Sequence, residues 1–342
     1  MKITLVAQDM APSQALGLIA DKLSKNGHFA MSLLGNSNTP PSHGTICTHV
    51  ANSRAIVVGM SSSKELAQPE LYALEVARNH GIPAFCYADT YGAHNRPWFE
   101  ELLAGTTLFH ISESEADKAR SLLPKTNVIA TGNPMWDDFF FPKFTRAEVQ
   151  EKLALTAEHK AVLCPGGKSA AVNVLHFSRT IELCSDIQNL VVFLSLHPGD
   201  KTDPAVYQEL VDLAPVPGTI VPKELLSAPD MLPGINLVIE SASTIGIEAA
   251  CQRIPVVDYF SSLARARLKK TTGSDQWPLC GQVAHDLDIY HGFEVELVKD
   301  LLAGGGHKKL FVQNAEKMFP APKEKGAAIR SMVAAIEQAS AA

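Results

Sequence analysis

Charge is sparse in this chain, and the signatures of several common protein classes are missing. Charged residues make up 19% of the 342 residues against 46% hydrophobic ones. That balance suits a soluble globular enzyme and excludes an intrinsically disordered chain. The net charge of −6 argues against nucleic acid or an anionic membrane as an obligatory partner. A local basic group, Arg265, Arg267, Lys269 and Lys270, runs against that trend. No apolar run is long enough to span a bilayer, so no membrane span is expected. The N-terminus lacks the regions of a signal peptide and opens directly into K-I-T-L-V-A, so a cytoplasmic location is expected. The six cysteines, Cys47, Cys86, Cys164, Cys184, Cys251 and Cys280, are nowhere spaced C-x-x-C. Disulfide and zinc frameworks are thereby excluded, and buried thiols in a reducing compartment are predicted.

Four further absences concern ligands and catalytic motifs. The first strand-like run is followed by A-Q-D-M-A-P, with no glycine before Gly17. Without G-x-G-x-x-G, NAD and FAD are disfavoured, and no cofactor is expected. P-G-G-K-S at 165–169 is not a Walker A loop, because Val162 stands where that loop needs glycine. A G-x-S-x-G hydrolase elbow fails at Ser63. His43, Cys47 and His49 match no standard zinc spacing, so no metal is expected.

What is present is an alternation of strand-like and helix-like segments. Residues 2–7 read as a strand. Residues 13–26 read as a helix, with Leu16, Ile19, Ala20 and Leu23 on one face and Gly27 as its stop. Strands follow at 28–34, 54–59, 82–87, 108–111 and 128–131, with helices at 69–80 and 113–123 and a polar loop at 35–44. A Phe-rich, then charged stretch at 139–159, broken by Pro142, reads as a crossing between domains. Strands resume at 160–164, 190–194, 219–221, 237–239, 255–257 and 282–284. Helices accompany them at 170–184, 205–213, 245–252 and 293–303. Ile329, Met332, Val333 and Ile336 give the last helix one apolar face. The expected class is α/β with doubly wound parallel sheets. The predicted domains are 1–141, a linker at 142–159, 160–322, and a C-terminal helix at 323–342 that is free to cross back to the first domain.

The stretch 235–259, I-N-L-V-I-E-S-A-S-T-I-G-I-E-A-A-C-Q-R-I-P-V-V-D-Y, combines strand, small-residue turn, short helix and strand. Ser243 or Thr244 can cap the helix, and its first backbone N–H groups attract a phosphate. Gly246 removes a side chain where a ligand could approach. Glu248 lies one turn above Thr244 on the same face, roughly 5 Å along the axis. That is the offset between a diphosphate and the ribose hydroxyls of a nucleotide.

S-A-S-T-I-G-I-E-A-A resembles the donor-binding segment of GT-B glycosyltransferases, including the small-Ser-Ser/Thr-x-x-x-Asp/Glu run of CDP-glycerol-type transferases. It is also similar to the matching helix of UDP-GlcNAc 2-epimerases. V-I-A-T-G-N-P-M-W-D-D-F resembles the segment that closes the first half of those epimerases, and L-S-L-H-P-G resembles their His-Pro segment. The resemblance implies a GT-B fold, two Rossmann-like domains facing across a cleft, with a C-terminal helix. It implies that Ser243 and Thr244 hold donor phosphates and Glu248 the ribose. It also carries His197 to the active site, as a donor contact or an acid/base.

In P-G-G-K-S, Gly166 and Gly167 let backbone N–H groups approach a phosphate, Lys168 can neutralise it, and Ser169 opens the following helix. An inverting transferase also needs a base for the acceptor hydroxyl. The candidates at strand ends in the first half are Asp9, Asp89 and His94, and Asp89 ranks above Asp9, its loop also carrying Tyr91, His94, Arg96 and Trp98. His94 and Arg96 are assigned to the acceptor side. The expected activity is metal-independent transfer of a sugar, or similar group, from a UDP- or CDP-linked donor to an unidentified acceptor. A UDP-sugar 2-epimerase or hydrolase on the same fold is the alternative. Its first loop would carry a G-T-R-P-E-like segment, whereas this chain reads A-Q-D-M-A-P-S. A non-catalytic nucleotide-sugar or glycan binder is the third reading, and a homo-oligomer is left open.

Overall fold

The computed structural model describes all residues except 36–39, 198, 223–224, 242, 273–281, 286–291 and 342. Side chains are also not described at 267–268, 270–272, 282–285, 292–293 and 341. Cys280, Pro198 and Ala242, and the side chains of Arg267 and Lys270, therefore lie outside the described residues. The chain divides into two compact units, Met1–Asp137 with Pro322–Ala342, and Asp138–Ala321.

The first unit carries strands β1 (Lys2–Ala7), β2 (Phe29–Leu34), β3 (Ala55–Gly59), β4 (Ala84–Tyr87), β5 (Thr107–His110) and β6 (Asn127–Ala130). Its helices are α1 (Met10–Lys25), α2 (His43–Ala51), α3 (Gln68–Asn79), α4 (Glu100–Leu103) and α5 (Glu113–Leu122), and α6 (Asp137–Phe140) leads out of it. The second unit holds α7 (Arg146–Lys152), β7 (Lys160–Pro165), α8 (Ala170–Cys184), β8 (Leu190–Ser195), α9 (Pro204–Asp212) and β9 (Gly218–Ile220). It continues with α10 (Ala228–Met231), β10 (Leu237–Glu240), α11 (Thr244–Cys251), β11 (Val256–Phe260), α12 (Ser262–Thr272), β12 (Gln282–His285), α13 (Gly292–Ala303) and α14 (Gly306–Met318). The last helix, α15 (Ala327–Ala341), belongs to the first unit.

Strand order is β2-β1-β3-β4-β5-β6 in the first sheet and β12-β11-β10-β7-β8-β9 in the second. Numbered within its own unit, the second order is the 3-2-1-4-5-6 pattern of dinucleotide-type sheets, and the first extends the flavodoxin-type 2-1-3-4-5 pattern by one strand. Both units are thus Rossmann-like α/β layers. The first sheet sends Ile3, Leu5 and Ala7 into one core with Leu16, Ile19 and Leu23 of α1 and Met332, Val333 and Ile336 of α15. Its other face packs Val6, Ile56 and Val58 against Val50 of α2, Leu74 of α3 and Ala116 of α5.

Several boundaries differ from expectation for identifiable reasons. Helix α1 begins earlier than predicted because Asp9, in extended geometry, accepts the Met10 N–H and caps it. Helix α2 was not anticipated, since it buries only Ile46 and Val50, too few to show a period. Helix α7 lies inside the stretch expected to be linker. A reciprocal Thr145–Glu148 capping box starts it, and Val149 packs on Gly234. Helices α12 and α14 were also not anticipated.

The order of neighbours reverses at β1/β3 in the first sheet and at β7/β10 in the second. At such points adjacent loops leave for opposite faces and open a crevice beyond the carboxyl ends of the strands. Gly59 closes β3 at the first reversal, where an added Cβ would stand 2.7 Å from Pro12 Cβ and 2.9 Å from Ala7 Cβ. Neither neighbour is a flexible side chain. Gly59→Ala is expected to destabilise the chain by about 1–3 kcal/mol, read as a lowered urea midpoint at unchanged m-value.

Candidate functional site

Three loops meet along the carboxyl edge of β10, β7 and β8, at the reversal of the second sheet. After β7, the backbone turns through Pro165–Ser169 into α8. The Gly166 N–H is taken by Ser195 O at 2.8 Å, and the Gly167 N–H by Asn173 Oδ1 at 2.7 Å. These two groups face protein, which corrects the expectation that they face a phosphate. Gly166 is small because Phe177 Cζ would lie 3.0 Å from its Cβ. The open donors are one step further on. Ser169 is extended at the N-cap of α8 but makes no side-chain cap bond, so the first turn of this 15-residue helix carries uncapped N–H groups. Lys168 is exposed beside it.

After β8, His197 Nδ1 accepts the Gly199 N–H at 2.8 Å. A neutral ring therefore carries its proton on Nε2. A Cβ at Gly199 would meet the His197 ring at 3.2 Å and Lys168 Cε at 3.5 Å, so Lys168 and His197 come together around that residue. Asn173 holds the two loops in register. Its amide spans Gly167, at 2.7 and 2.9 Å, and reaches Asp200 Oδ2 at 2.9 Å, which also accepts from Tyr207 Oη at 2.7 Å. Burial raises the Asp200 pKa, but hydrogen bonds from Thr202, Tyr207 and Asn173 outweigh it and hold the group below its ordinary value. Asn173, Asp200 and Tyr207 were not found from the sequence. The only available signal was that Asp200 directly continues S-L-H-P-G.

After β10, Ser243 is extended and its Oγ accepts the Ile245 N–H at 3.3 Å, so it caps α11 as anticipated, with Thr244 exposed next to it. The Ser243 N–H points inward, to Glu240 Oε2. Gly246 is not open toward a ligand either, because a Cβ there would lie 2.8 Å from Glu240 Oε1. The glycine makes room for a buried glutamate. Glu248 is 7% exposed, and its carboxyl makes no hydrogen bond among the described residues. Burial, with Asp230 nearby, pushes it up to about 8.

The first sheet repeats the arrangement at its own reversal. Glu70 of α3 is fully buried and accepts the Gln8 N–H at 3.0 Å and the Ser61 hydroxyl. Burial pushes it up to about 7 despite those bonds. Ser61 Oγ in turn takes the Asp9 N–H at 3.1 Å. Asp9 accepts from Met10 N at 2.8 Å, Ser62 N at 3.2 Å and Ser62 Oγ at 2.5 Å. Burial raises its pKa, but these bonds and the charge of Arg96 outweigh it and hold the group below its ordinary value. Asp9 is therefore ionised but already spent on structure. Asp89 is less committed. It meets Arg96 at 3.3 Å, is 14% exposed, and is raised by burial against the pull of Arg96. Asn133 of the G-N-P segment fixes this loop by donating to Asp89 O at 3.1 Å.

His94 does not line an open surface. It is 4% exposed, with Nδ1 2.9 Å from His110 Nε2. His94, His110 and Glu115 each offer a ligating atom within 4.8 Å of the others, the kind of cluster that can hold a metal. The donors do not fit one. Ile111 N–H points at His110 Nδ1 at 3.0 Å, which leaves the His110 proton on Nε2, facing His94 Nδ1. Glu115 already accepts from Gly92 N at 2.8 Å and Lys118 Nζ at 2.6 Å. Burial and the neighbouring His94 push His110 down to about 4. His94 and His110 form a neutral hydrogen-bonded pair behind the Asp89 loop, and Glu115 beside them is kept ionised, against its burial, by the Gly92 N–H and Lys118.

No protein-family model matches the chain, and no curated protein matches it in sequence. Solved structures do. The UDP-GlcNAc 2-epimerase of Neisseria meningitidis bound to UDP-GlcNAc superposes with a TM-score of 0.62 at 16% identity, over 99% of this chain and 100% of its own. MnaA of S. aureus with UDP gives 0.63 at 13%, over 97% and 95%. MurG of Acinetobacter baumannii gives 0.61 at 13%, over 98% and 99%. At these identities the likeness is one of fold, and the fold is GT-B, as the sequence motifs implied.

Glu248 gives a pH test. Its ordinary value is 4.5, so the unfolded chain releases a proton that the folded chain keeps up to about 8. Stability from the neutral form is complete below the ordinary value and is lost as pH rises through the folded one. Glu248→Gln removes this loss. Its melting temperature is expected to exceed that of the parent by a margin that grows from pH 4.5 and levels off above about 8.

Proposed function

We propose that the chain is an enzyme acting on a nucleotide-diphosphate sugar, and that it transfers the sugar to an acceptor hydroxyl without a metal. In this reading the second unit binds the donor and the first unit serves the acceptor. The observation that carries it is the reversal of the second sheet. There, exposed Lys168, the uncapped start of α8, His197 with Nε2–H and exposed Thr244 occupy adjacent loops and helix starts, and buried Glu248 lies one turn along α11. A diphosphate needs cationic and N–H donors, and a ribose needs a carboxyl about one helical turn away.

The chemistry follows from the donors. Lys168, the α8 dipole and the His197 Nε2–H neutralise charge that grows on the leaving diphosphate. Asp89 takes the proton of the acceptor hydroxyl, since its raised pKa makes it a stronger base than Asp9. Arg96 orients that carboxyl. Glu248, able to donate while protonated, binds a ribose hydroxyl.

Epimerisation or hydrolysis of a UDP-sugar is the second reading, favoured by the UDP-GlcNAc 2-epimerases among the structural neighbours. Against it, the first loop carries no arginine and its Asp9 is occupied as a helix cap.

By calorimetry, Lys168→Ala and His197→Ala are each expected to weaken UDP or CDP binding about 10–100-fold, as loss of a charge-assisted hydrogen bond predicts. Unchanged affinity for both nucleotides in both variants would remove the donor assignment. Asp89→Asn is expected to lower transfer by about 10²–10⁴-fold while leaving nucleotide affinity intact. NMR of UDP-GlcNAc incubated with the chain alone separates the two readings, because only an epimerase or hydrolase alters the sugar with no acceptor present.

A further inference from the structure

The turn between β10 and α11 is underlain by two acids that the donor reading does not use. Glu240 ends β10 and Asp258 lies in β11, and the two are direct partners in the parallel register. Both are fully buried. Charges taken out of water in this way are retained only where something holds them or neutralises them. Glu240 has a specific engagement, since one carboxyl oxygen accepts the Ser243 N–H. The other lies so close to the backbone of α11 that a Cβ at position 246 would stand 2.8 Å from it and push the carboxyl aside. The carboxyl is thus wedged between the turn and the first turn of the helix.

We propose that Glu240, backed by Asp258, is a positioning residue for the diphosphate-binding turn: it draws the Ser243 N–H inward and so determines which groups of residues 243 and 244 face the ligand. The proposal rests on the donor-site reading for its functional meaning. With the Ser243 N–H turned in and the Ser243 hydroxyl oxygen accepting from Ile245, Thr244 is left exposed among the described residues of the turn. Without the inward bond, the Ser243 amide would be free to rotate outward and Thr244 would lose its fixed direction. Burial sets the charge state, and Asp258 reinforces it. Burial and the adjacent Asp258 carboxyl keep Glu240 protonated well above its ordinary range. A neutral acid beneath the turn does not repel an incoming diphosphate, as a buried carboxylate would. The other titratable group in reach is the Cys164 thiol of β7, raised by burial and, to a smaller extent, by Glu240.

The test uses the whole chain and two readouts, amide exchange at Ser243 by NMR and UDP affinity by calorimetry. Glu240→Leu keeps the volume but removes the acceptor. It is expected to speed Ser243 exchange by about 10-fold or more and to weaken UDP binding about 10-fold. Glu240→Gln reproduces the neutral acid in shape and charge and still offers an acceptor oxygen, so it is expected to restore both readouts toward the parent. A merely volume-filling role would instead leave leucine and glutamine alike. If Glu240→Leu does not fold, Gly246→Ala displaces the carboxyl with Glu240 still present and is expected to speed exchange in the same way. Ser243 exchange unchanged in Glu240→Leu, or in Gly246→Ala, overturns the proposal. That result is separate from failure of the donor reading, which would appear as no UDP or CDP binding by the parent chain.

Discussion

Every described strand pair in both sheets is parallel, so each connection must travel back across the sheet before the next strand begins. The turns leaving the strands therefore gather at a single edge of each sheet. There the backbone N–H and C=O groups have no further ladder to join. How these groups are satisfied decides what the edge can present to a ligand. At the reversal of the first sheet, Glu70 takes the Gln8 N–H and the Ser61 hydroxyl. At the reversal of the second, Glu240 takes the Ser243 N–H and Asn173 takes the Gly167 N–H. The strand-end turns are thus tied from beneath by polar side chains, and what remains exposed above them is a small, selected set of groups.

Both tying glutamates are removed from water, and burial raises both. A neutral acid is much less costly to bury than an ionised one, and it can still accept an N–H. The design separates two tasks that one carboxyl could not do well. Buried acids shape the turns, while partly exposed groups such as Asp89 and Lys168 remain for ligands. Asp9 shows the cost of mixing the tasks, because three hydrogen bonds from Met10 and Ser62 leave it little capacity to take a proton.

Much of the fold was legible because buried parallel strands leave short apolar runs and α1 leaves a 3.6-residue period. The bounds of α8 matched the expected 170–184. Helices with few buried apolar residues, such as α2, gave no period to read, although the T-x-x-E box that starts α7 was visible in the chain. A cap at Ser243 or Thr244 was legible from residue type, and the structure gives it to Ser243. The glycines misled, because a glycine beside a turn suggests a ligand, whereas Gly166 and Gly246 make room for Phe177 and Glu240. Glu70 could not be found, since its partners are 62 and 9 residues away. The acids Glu240 and Asp258 did leave a trace, each standing inside or against an apolar strand run where a charge is out of place.

The core of the first unit is completed by residues from the far end of the chain. Met332, Val333 and Ile336 cover the same layer as Leu16 and Ile19, and Glu337 reaches His28 at 2.8 Å. During translation those residues leave the ribosome only after Asp138–Ala321 has been made. The second unit can consequently finish folding while the first still has an uncovered apolar flank. The N-terminal half, although synthesised earlier, can therefore complete its core only once Met332, Val333 and Ile336 are available.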